Sequence, residues 1–379
     1  MATTINTNTD HHYDRLEEIK QFDESKIGVK GLVDTGLTAI PRFFHHPPEN
    51  LPTPKPKTQK SKLSIPIIDL SGHRSAVVDQ IRHSSSTHGF FQIINHGIPK
   101  KVLDQMLSSI KAFFELPETT RIHYYTREAS HGVAYSTNFD LYKSKAASWR
   151  DTLQVRLGPT PPEWDYVPEL CREAVEEWDR EVIKLGEELM GLLSEGLGME
   201  RDRLKDMSCL DARTMAAHYY PYCPQADLTV GLTSHTDPGV LTVVLQNEVA
   251  GLQVKFGEDW IDVDPVPGGL IINIGDILQI MANDEYKSVE HRVLANPSHE
   301  PRVSIAVFFN PSMRDKLYGP LPGLVSPEKP AMYQQFMFSD FMTRFFTKEL
   351  DGKTLTNYYR VSSKEESELD KQETNESSV

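Results

Sequence analysis

The segment GLTSHTDPGVLTVVLQ, residues 231–246, sets a histidine and an aspartate two positions apart in otherwise apolar, strand-like sequence. Strand residues i and i+2 project from the same face. His235 and Asp237 are therefore expected to leave a strand end together, just before the Pro238-Gly239 turn. A carboxylate directed at a core is costly unless something pairs with it, and a metal ion is one such partner. KSVEHRVL (287–294) offers a third ligand, because Val289, His291 and Val293 alternate with Glu290 and Arg292. For His291 alone, a neutral imidazole hydrogen-bonded within a core is the plainer reading. His299 in NPSHEP reads as solvated, and His96 in INHGIP as a turn residue. His-x-Asp by itself carries little: a chain with 14 histidines yields about one match by chance, and His12 with Asp14 in the polar N-terminal arm is a second. Two histidines and a carboxylate suit non-haem Fe(II), with open positions on one face. They also suit catalytic zinc, with one open position for water.

EPRVSIAVFFNPS (300–312) bears on that choice. Arg302, Ser304, Ala306 and Phe308 alternate with Val303, Ile305, Val307 and Phe309. Both faces are mostly apolar, so Arg302 is expected inside, where a guanidinium needs a carboxylate. An internal salt bridge would supply one. So would a small acid from solution, gripped by Arg302 and the Ser304 hydroxyl through charge-assisted hydrogen bonds. Tyr220 in HYYPYCPQ (218–225) shares strand phase with His218 and could donate to the same group. A 2-oxo dicarboxylate meets both needs. Its far carboxylate reaches Arg302, its 2-oxo acid end takes two metal positions, and O2 takes the last. 2-Oxoglutarate is such a molecule, and a zinc hydrolase has no use for an Arg-x-Ser platform one strand beyond its last ligand.

The elements that must position these residues follow from texture. Residues 1–62 read as an N-terminal arm, with helical spacing at Leu16, Ile19 and Phe22, and a Pro- and Lys-rich linker. Residues 63–210 read as mainly helical, with strands at SIPIIDLSG and FFQIINH. A long amphipathic helix carries Val175, Trp178, Val182, Leu185, Leu189, Leu192 and Leu193. From 211 to 313, short apolar segments alternate with Gly/Pro turns, the pattern of a jelly roll. MYQQFMFSDFMTRFFTKEL, within 314–360, reads as a helix, and 361–379 as a disordered acidic tail. The expected class is α+β: a double-stranded β-helix (jelly roll) core with an N-terminal helical region and a C-terminal helix. The 379 residues carry a formal charge of −14, which argues against nucleic acid or an anionic membrane as main partner. No apolar run approaches ~18 residues, so no membrane span is expected. The N-terminus does not read as a secretory signal, and three scattered cysteines, Cys171, Cys209 and Cys223, suit a reducing compartment. A cytoplasmic monomer acting on a small molecule is expected.

The ordered motifs IPIIDLSG, HGFFQIINHGIP, HYYPYCPQADLTVGLTSHTD, GLQV, VPGGLIINIGDILQIMAND, KSVEHRV and RVSIAVFFNPS resemble those of the plant 2-oxoglutarate/Fe(II)-dependent dioxygenases. The arm and VAYSTNFDLYKSKAASWRDTLQ resemble the branch of 1-aminocyclopropane-1-carboxylate oxidase homologues, which includes deacetoxyvindoline 4-hydroxylase. The resemblance implies that His235, Asp237 and His291 bind Fe(II), that Arg302 and Ser304 hold the distal carboxylate of 2-oxoglutarate, and that Tyr220 contacts it. It also implies O2 as oxidant and ascorbate as reductant, and it places a substrate contact on Phe308. His218 departs from the asparagine that many members carry. The substrate pocket is expected to be apolar, drawn from Phe308, Phe139, Tyr142, Tyr135, Phe338 and Phe341, although a Phe/Met stripe at helical spacing is more often core than pocket. The implied reaction is hydroxylation of a lipophilic specialised metabolite (an alkaloid, terpenoid, steroid or phenolic) with release of succinate and CO2. O-Demethylation begins with the same step. A true 1-aminocyclopropane-1-carboxylate oxidase, which carries a shorter arm, and a small-molecule receptor on the same scaffold are the rivals.

Overall fold

The computed structural model describes residues 13–52, 64–347 and 354–361. The expectations for residues 1–12, for most of the linker and for the acidic tail fall outside them. The strands are β1 (Ile67–Asp69), β2 (Phe90–Ile94), β3 (Val133–Thr137), β4 (Asp151–Gly158), β5 (Ala212–Tyr220), β6 (Val230–His235), β7 (Leu241–Gln246), β8 (Leu252–Phe256), β9 (Asp259–Asp262), β10 (Leu270–Ile274), β11 (His291–Leu294) and β12 (Arg302–Asn310). They form a major sheet in the order β1-β2-β10-β7-β12-β5-β4-β3 and a minor sheet in the order β6-β11-β8-β9. All pairs are antiparallel except β1 with β2. The expected jelly roll is present. The region read as mainly helical also contributes β1 to β4, which widen the major sheet on both sides.

The helices are α1 (Arg15–Ser25), α2 (Gly28–Asp34), α3 (Arg74–Thr87), α4 (Lys100–Phe114), α5 (Glu118–Arg121) and α6 (Glu169–Gly196), followed by shorter ones. Along α6, Val175, Trp178, Val182, Leu185 and Leu189 are buried, the stripe that the sequence predicts. They join a core containing Met106, Ile110 and Phe113 of α4 with Val303, Ile305, Val307 and Phe309 of β12. Gly186 lets the sheet approach α6, since a Cβ there would lie 2.9 Å from the Phe309 ring. The other face of β12 (Arg302, Ser304, Ala306 and Phe308) turns inward. A separate interior cluster lies on this side, made of Phe90, Tyr220, Leu232, Leu252, Val254, Ile271 and Val293. The major sheet thus divides two interiors, one against the helices and one against the minor sheet.

Register sets the inner face in rows, because directly opposed residues share a side. Thr152, His218, Ser304 and Gln246 form one row. Arg156, Thr214, Phe308, Thr242, Asn273 and Phe90 form another.

Within the arm, the exposed Asp14 caps α1, accepting from the Leu16 and Glu17 amides. Buried polar contacts fasten the arm to the rest of the fold. Asp151 accepts from the Val29 and Lys30 amides, each at 2.8 Å, at the start of α2. Gly28 has φ +68°, and a Cβ there would lie 2.7 Å from the Asp151 carboxylate, so both backbone conformation and space call for glycine. The C-terminal segment is not helical from Met332: Phe336–Met337 pairs with Leu317–Tyr318, and the helix begins at Phe338, reaching Thr347 among the described residues. No helix among the described residues is long and apolar enough to cross a membrane.

Candidate metal centre

β6 ends at His235, so Asp237 lies beyond the strand and simple alternation does not aim the pair. Between β11 and β6 the partners of His291 and Val293 are His235 and Leu232, which leaves an extra residue in β6. Such a bulge re-aims a side chain, and here His235 and His291 face each other across the pair with ring centroids 4.2 Å apart. Asp237 is fixed by its surroundings. Its carbonyl accepts from the Asp276 amide at 2.8 Å, and its Oδ2 accepts from Thr242 Oγ1 at 2.5 Å and Asn273 Nδ2 at 2.6 Å.

Asp237 Oδ1 is then left to the imidazoles, 3.5 Å from His235 Nε2 and 3.7 Å from His291 Nε2. The His235 Nδ1 lies 2.8 Å from the Thr233 carbonyl and the His291 Nδ1 3.3 Å from the Val289 carbonyl. Carbonyls only accept, so each Nδ1 carries the proton and each Nε2 presents its lone pair inward. Burial and the neighbouring His235 push the His291 pKa down to about 4. Burial alone would raise the Asp237 carboxyl, but the adjacent imidazoles of His291 and His235 and the Thr242 hydroxyl outweigh it and hold it below the usual range. Neutral imidazoles beside an ionised carboxylate are what a divalent cation requires. The three ligand atoms lie within 4.8 Å of one another, and all three residues are buried. Atoms about 2.0–2.2 Å from a shared ion lie at most about 4.4 Å apart, and the 3.5 Å and 3.7 Å separations from Asp237 Oδ1 meet that limit.

Arg302 is 2% exposed. It donates to Ser304 Oγ at 3.1 Å and Gln246 Oε1 at 2.7 Å, and its Cζ lies 5.0 Å from the Tyr220 ring centroid. Its Nε and the Gln246 Nε2 have no partner. Among the described residues it has no carboxylate partner, so the internal salt bridge is absent. Burial draws its pKa below the ordinary value, partly countered by Tyr220. A buried cation without an anion fits the distal carboxylate of 2-oxoglutarate. His218 joins the same interior, with Nδ1 3.0 Å from Thr152 Oγ1. Burial, then the charges of Arg150 and Arg302, depress its pKa strongly, so it is a neutral group.

Phe308 stands next to Thr242 in the inner row, beside the residues that hold Asp237. The other aromatic positions lie elsewhere. Tyr135 is in the helix-side core, edge-on to Phe113, Phe114 and Tyr125. Phe338 and Phe341 belong to that core too, near Tyr318 and Phe336. Their helical stripe is a packing stripe, and the major sheet separates this core from the inner face. Phe139 and Tyr142 are half-exposed; Phe139 stacks on Phe345, and the Tyr142 hydroxyl donates to Asp23. Thr242, Asn273 and Gln246 are parts of the site that the sequence reading missed. Asn273, the lone amide in the apolar run LIINI, was the available signal.

Comparison with known proteins agrees with this geometry. Residues 212–311 match the 2OG-Fe(II) oxygenase superfamily, and residues 65–173 match the N-terminal region described as "non-haem dioxygenase in morphine synthesis". The chain is 45% identical over 347 residues to 1-aminocyclopropane-1-carboxylate oxidase homolog 4 of Arabidopsis thaliana, covering 91% of this chain and 98% of that protein. It is 42% identical over 360 residues to a homolog from Solanum lycopersicum, covering 92% and 98%. A crystal structure of JOX2 in complex with 2OG, Fe and JA superposes with a TM-score of 0.80 at 31% identity, covering 88% of this chain and 98% of that one. The dioxygenase for auxin oxidation from rice superposes with a TM-score of 0.66 at 26% identity, covering 79% and 100%. The chain belongs to the 2OG-Fe(II) oxygenase superfamily, among the plant 1-aminocyclopropane-1-carboxylate oxidase homologues, and is a 2-oxoglutarate- and iron(II)-dependent dioxygenase.

Proposed function

We propose that this dioxygenase hydroxylates a small lipophilic plant metabolite at an unactivated carbon. The observation that carries the reading is the placement of Arg302, buried and without a carboxylate partner among the described residues, in the same interior as the His235–Asp237–His291 cluster. With iron bound, 2-oxoglutarate and O2 supply an oxidant that replaces C–H by C–OH and release succinate and CO2. The protein's part is geometric. His235, Asp237 and His291 hold one face of the ion, and Arg302 with Ser304 and Tyr220 orients the co-substrate. Phe308 and the apolar interior cluster exclude water where the substrate carbon must sit. Phe139, Phe345 and Phe346 form a partly exposed aromatic group suited to an apolar ligand on its way in.

The relatives support a small organic substrate, since one solved neighbour holds JA and another is named for auxin oxidation. The test is anaerobic reconstitution with Fe(II) and 2-oxoglutarate, followed by O2 and a panel of alkaloids, terpenoids, steroids and phenolics. Succinate release coupled to gain of one oxygen atom is the expected result. Loss of one methylene from a methoxylated compound would identify demethylation instead. Ligand binding with no succinate under any condition would overturn the enzymatic reading.

A further inference from the structure

Arg150 immediately precedes β4. Asp151 faces Tyr219 in the register and turns to the arm, where Val29, Lys30 and Thr137 satisfy it. Arg150 lies just outside that ladder and is buried on the side of Gly231, where a Cβ would lie 2.8 Å from the Tyr220 ring that Arg302 also approaches. Its guanidinium reaches the minor sheet, with Nη1 3.3 Å from the Gly231 carbonyl. The residue is 4% exposed, its Nε has no partner, and no carboxylate among the described residues pairs with it.

Two buried guanidiniums thus border one interior, and neither has a carboxylate partner among the described residues. Burial, and after it the charges of Arg150 and Arg302, depress the pKa of His218 in the same interior, so that residue adds no third positive charge. A buried, unpaired cation is strongly destabilising, so each guanidinium calls for an incoming anion. One molecule of 2-oxoglutarate answers only one of them, because its other end is committed to the metal.

We propose that Arg150 is a second anion-recognition position and that the substrate is a small lipophilic monocarboxylic acid whose carboxylate it binds. This deepens the dioxygenase reading and rests on it. The carboxylate pairs with Arg150 on the β4 side while the apolar body lies toward Phe308, which holds the acid away from Arg302 and leaves that residue to the co-substrate. Neutral analogues leave the guanidinium unpaired and are rejected.

The test uses the Fe(II)–2-oxoglutarate holoenzyme without oxygen. Aryl- and alkylacetic acids are titrated beside their primary amides, for example phenylacetate with phenylacetamide and decanoate with decanamide. Binding is read by calorimetry and by the shift in melting temperature. Wild type should prefer the acids by at least about tenfold. Arg150→Gln should abolish the preference and Arg150→Lys should keep part of it. 2-Oxoglutarate affinity should stay at the wild-type level in Arg150→Gln and fall in Arg302→Gln. Equal binding of acids and amides by wild type overturns the proposal without any variant. So does an acid preference that survives in Arg150→Gln. A loss of 2-oxoglutarate affinity in Arg150→Gln equal to that in Arg302→Gln would assign Arg150 to the co-substrate instead. Iron-dependent succinate formation by wild type tests the dioxygenase reading separately, so failure of one is not read as failure of the other.

Discussion

Thr242 Oγ1 donates to Asp237 Oδ2 at 2.5 Å, and this contact decides which carboxylate oxygen faces the histidines. Asn273, opposite Thr242 in the sheet, donates to the same oxygen at 2.6 Å. Two neighbouring strands therefore hold Asp237 by one oxygen and leave the other for iron. Thr242→Val or Asn273→Ala should each weaken Fe(II) about 10- to 100-fold, the usual effect of losing a partner that orients a ligand, and the double variant should lose more. Anaerobic iron titration measures this. Wild-type affinity in both single variants would mean that the main-chain contact with Asp276 suffices to aim Asp237.

Arg302→Gln keeps a hydrogen-bonding group and removes the charge. Loss of one partner of a buried charge pair costs about 2–5 kcal/mol, or about 30-fold to several thousand-fold in affinity. The 2-oxoglutarate KM should rise by that order while iron affinity stays near wild type, since Arg302 touches none of the metal ligands. A rise of less than about threefold would contradict its assignment as the distal carboxylate anchor.

Asp23 ties α1 to the β3 region, accepting from Tyr125 at 2.5 Å, Arg127 at 2.7 Å and Tyr142 at 2.9 Å. Burial alone would raise its pKa, but the hydrogen bonds from Arg127 and Tyr125 with the charge of Arg127 outweigh this and hold it below 3.8. An acid with a depressed folded pKa stabilises the protein above its unfolded value, and that contribution is lost as pH falls through the folded value. Asp23→Asn should cost about 1–3 kcal/mol at neutral pH. The gap in melting temperature from wild type should close as the pH drops below 3.8. A gap that persists in acid would show that the carboxylate's charge is not what holds the arm.

The metal triad was legible because its residues break pattern locally: a histidine between inward valines, and a His-x-Asp at the end of an apolar strand. Arg302 was legible for the same reason, as a charge in a strand with two apolar faces. Arg150 was not. Its direction shows only in its contact with the Gly231 carbonyl, 81 residues along the chain, and it sits at the mouth of a strand that local composition does not announce. Tyr135, Phe338 and Phe341 show the complementary limit. Their apolar character makes them candidates for burial and all three are buried, yet a sheet that separates two interiors makes burial ambiguous, and hydrophobicity carries no label for the side. The bulge in β6 was equally hidden, since an extra residue is defined only against its partner strand.

The cysteines give a way to watch the arm directly. Burial pushes Cys171 and Cys209 up to about 12 and Cys223 up to about 11, so the native protein holds almost no thiolate at neutral pH and should resist alkylation. The three are divided between two clusters. Cys223 packs with Phe44, Trp149 and Ile19 under the arm, whereas Cys171 and Cys209 lie in the helix-side core. Asp151 fastens α2 to β4 through two main-chain amides, so Asp151→Ala should release the arm before the core opens. Pulse alkylation read by mass spectrometry should then label Cys223 well ahead of Cys171 and Cys209, and wild type should label all three slowly. Equal rates at the three positions in Asp151→Ala would mean that arm and core open as one cooperative unit, and that the Asp151 contacts stabilise the whole fold rather than the arm.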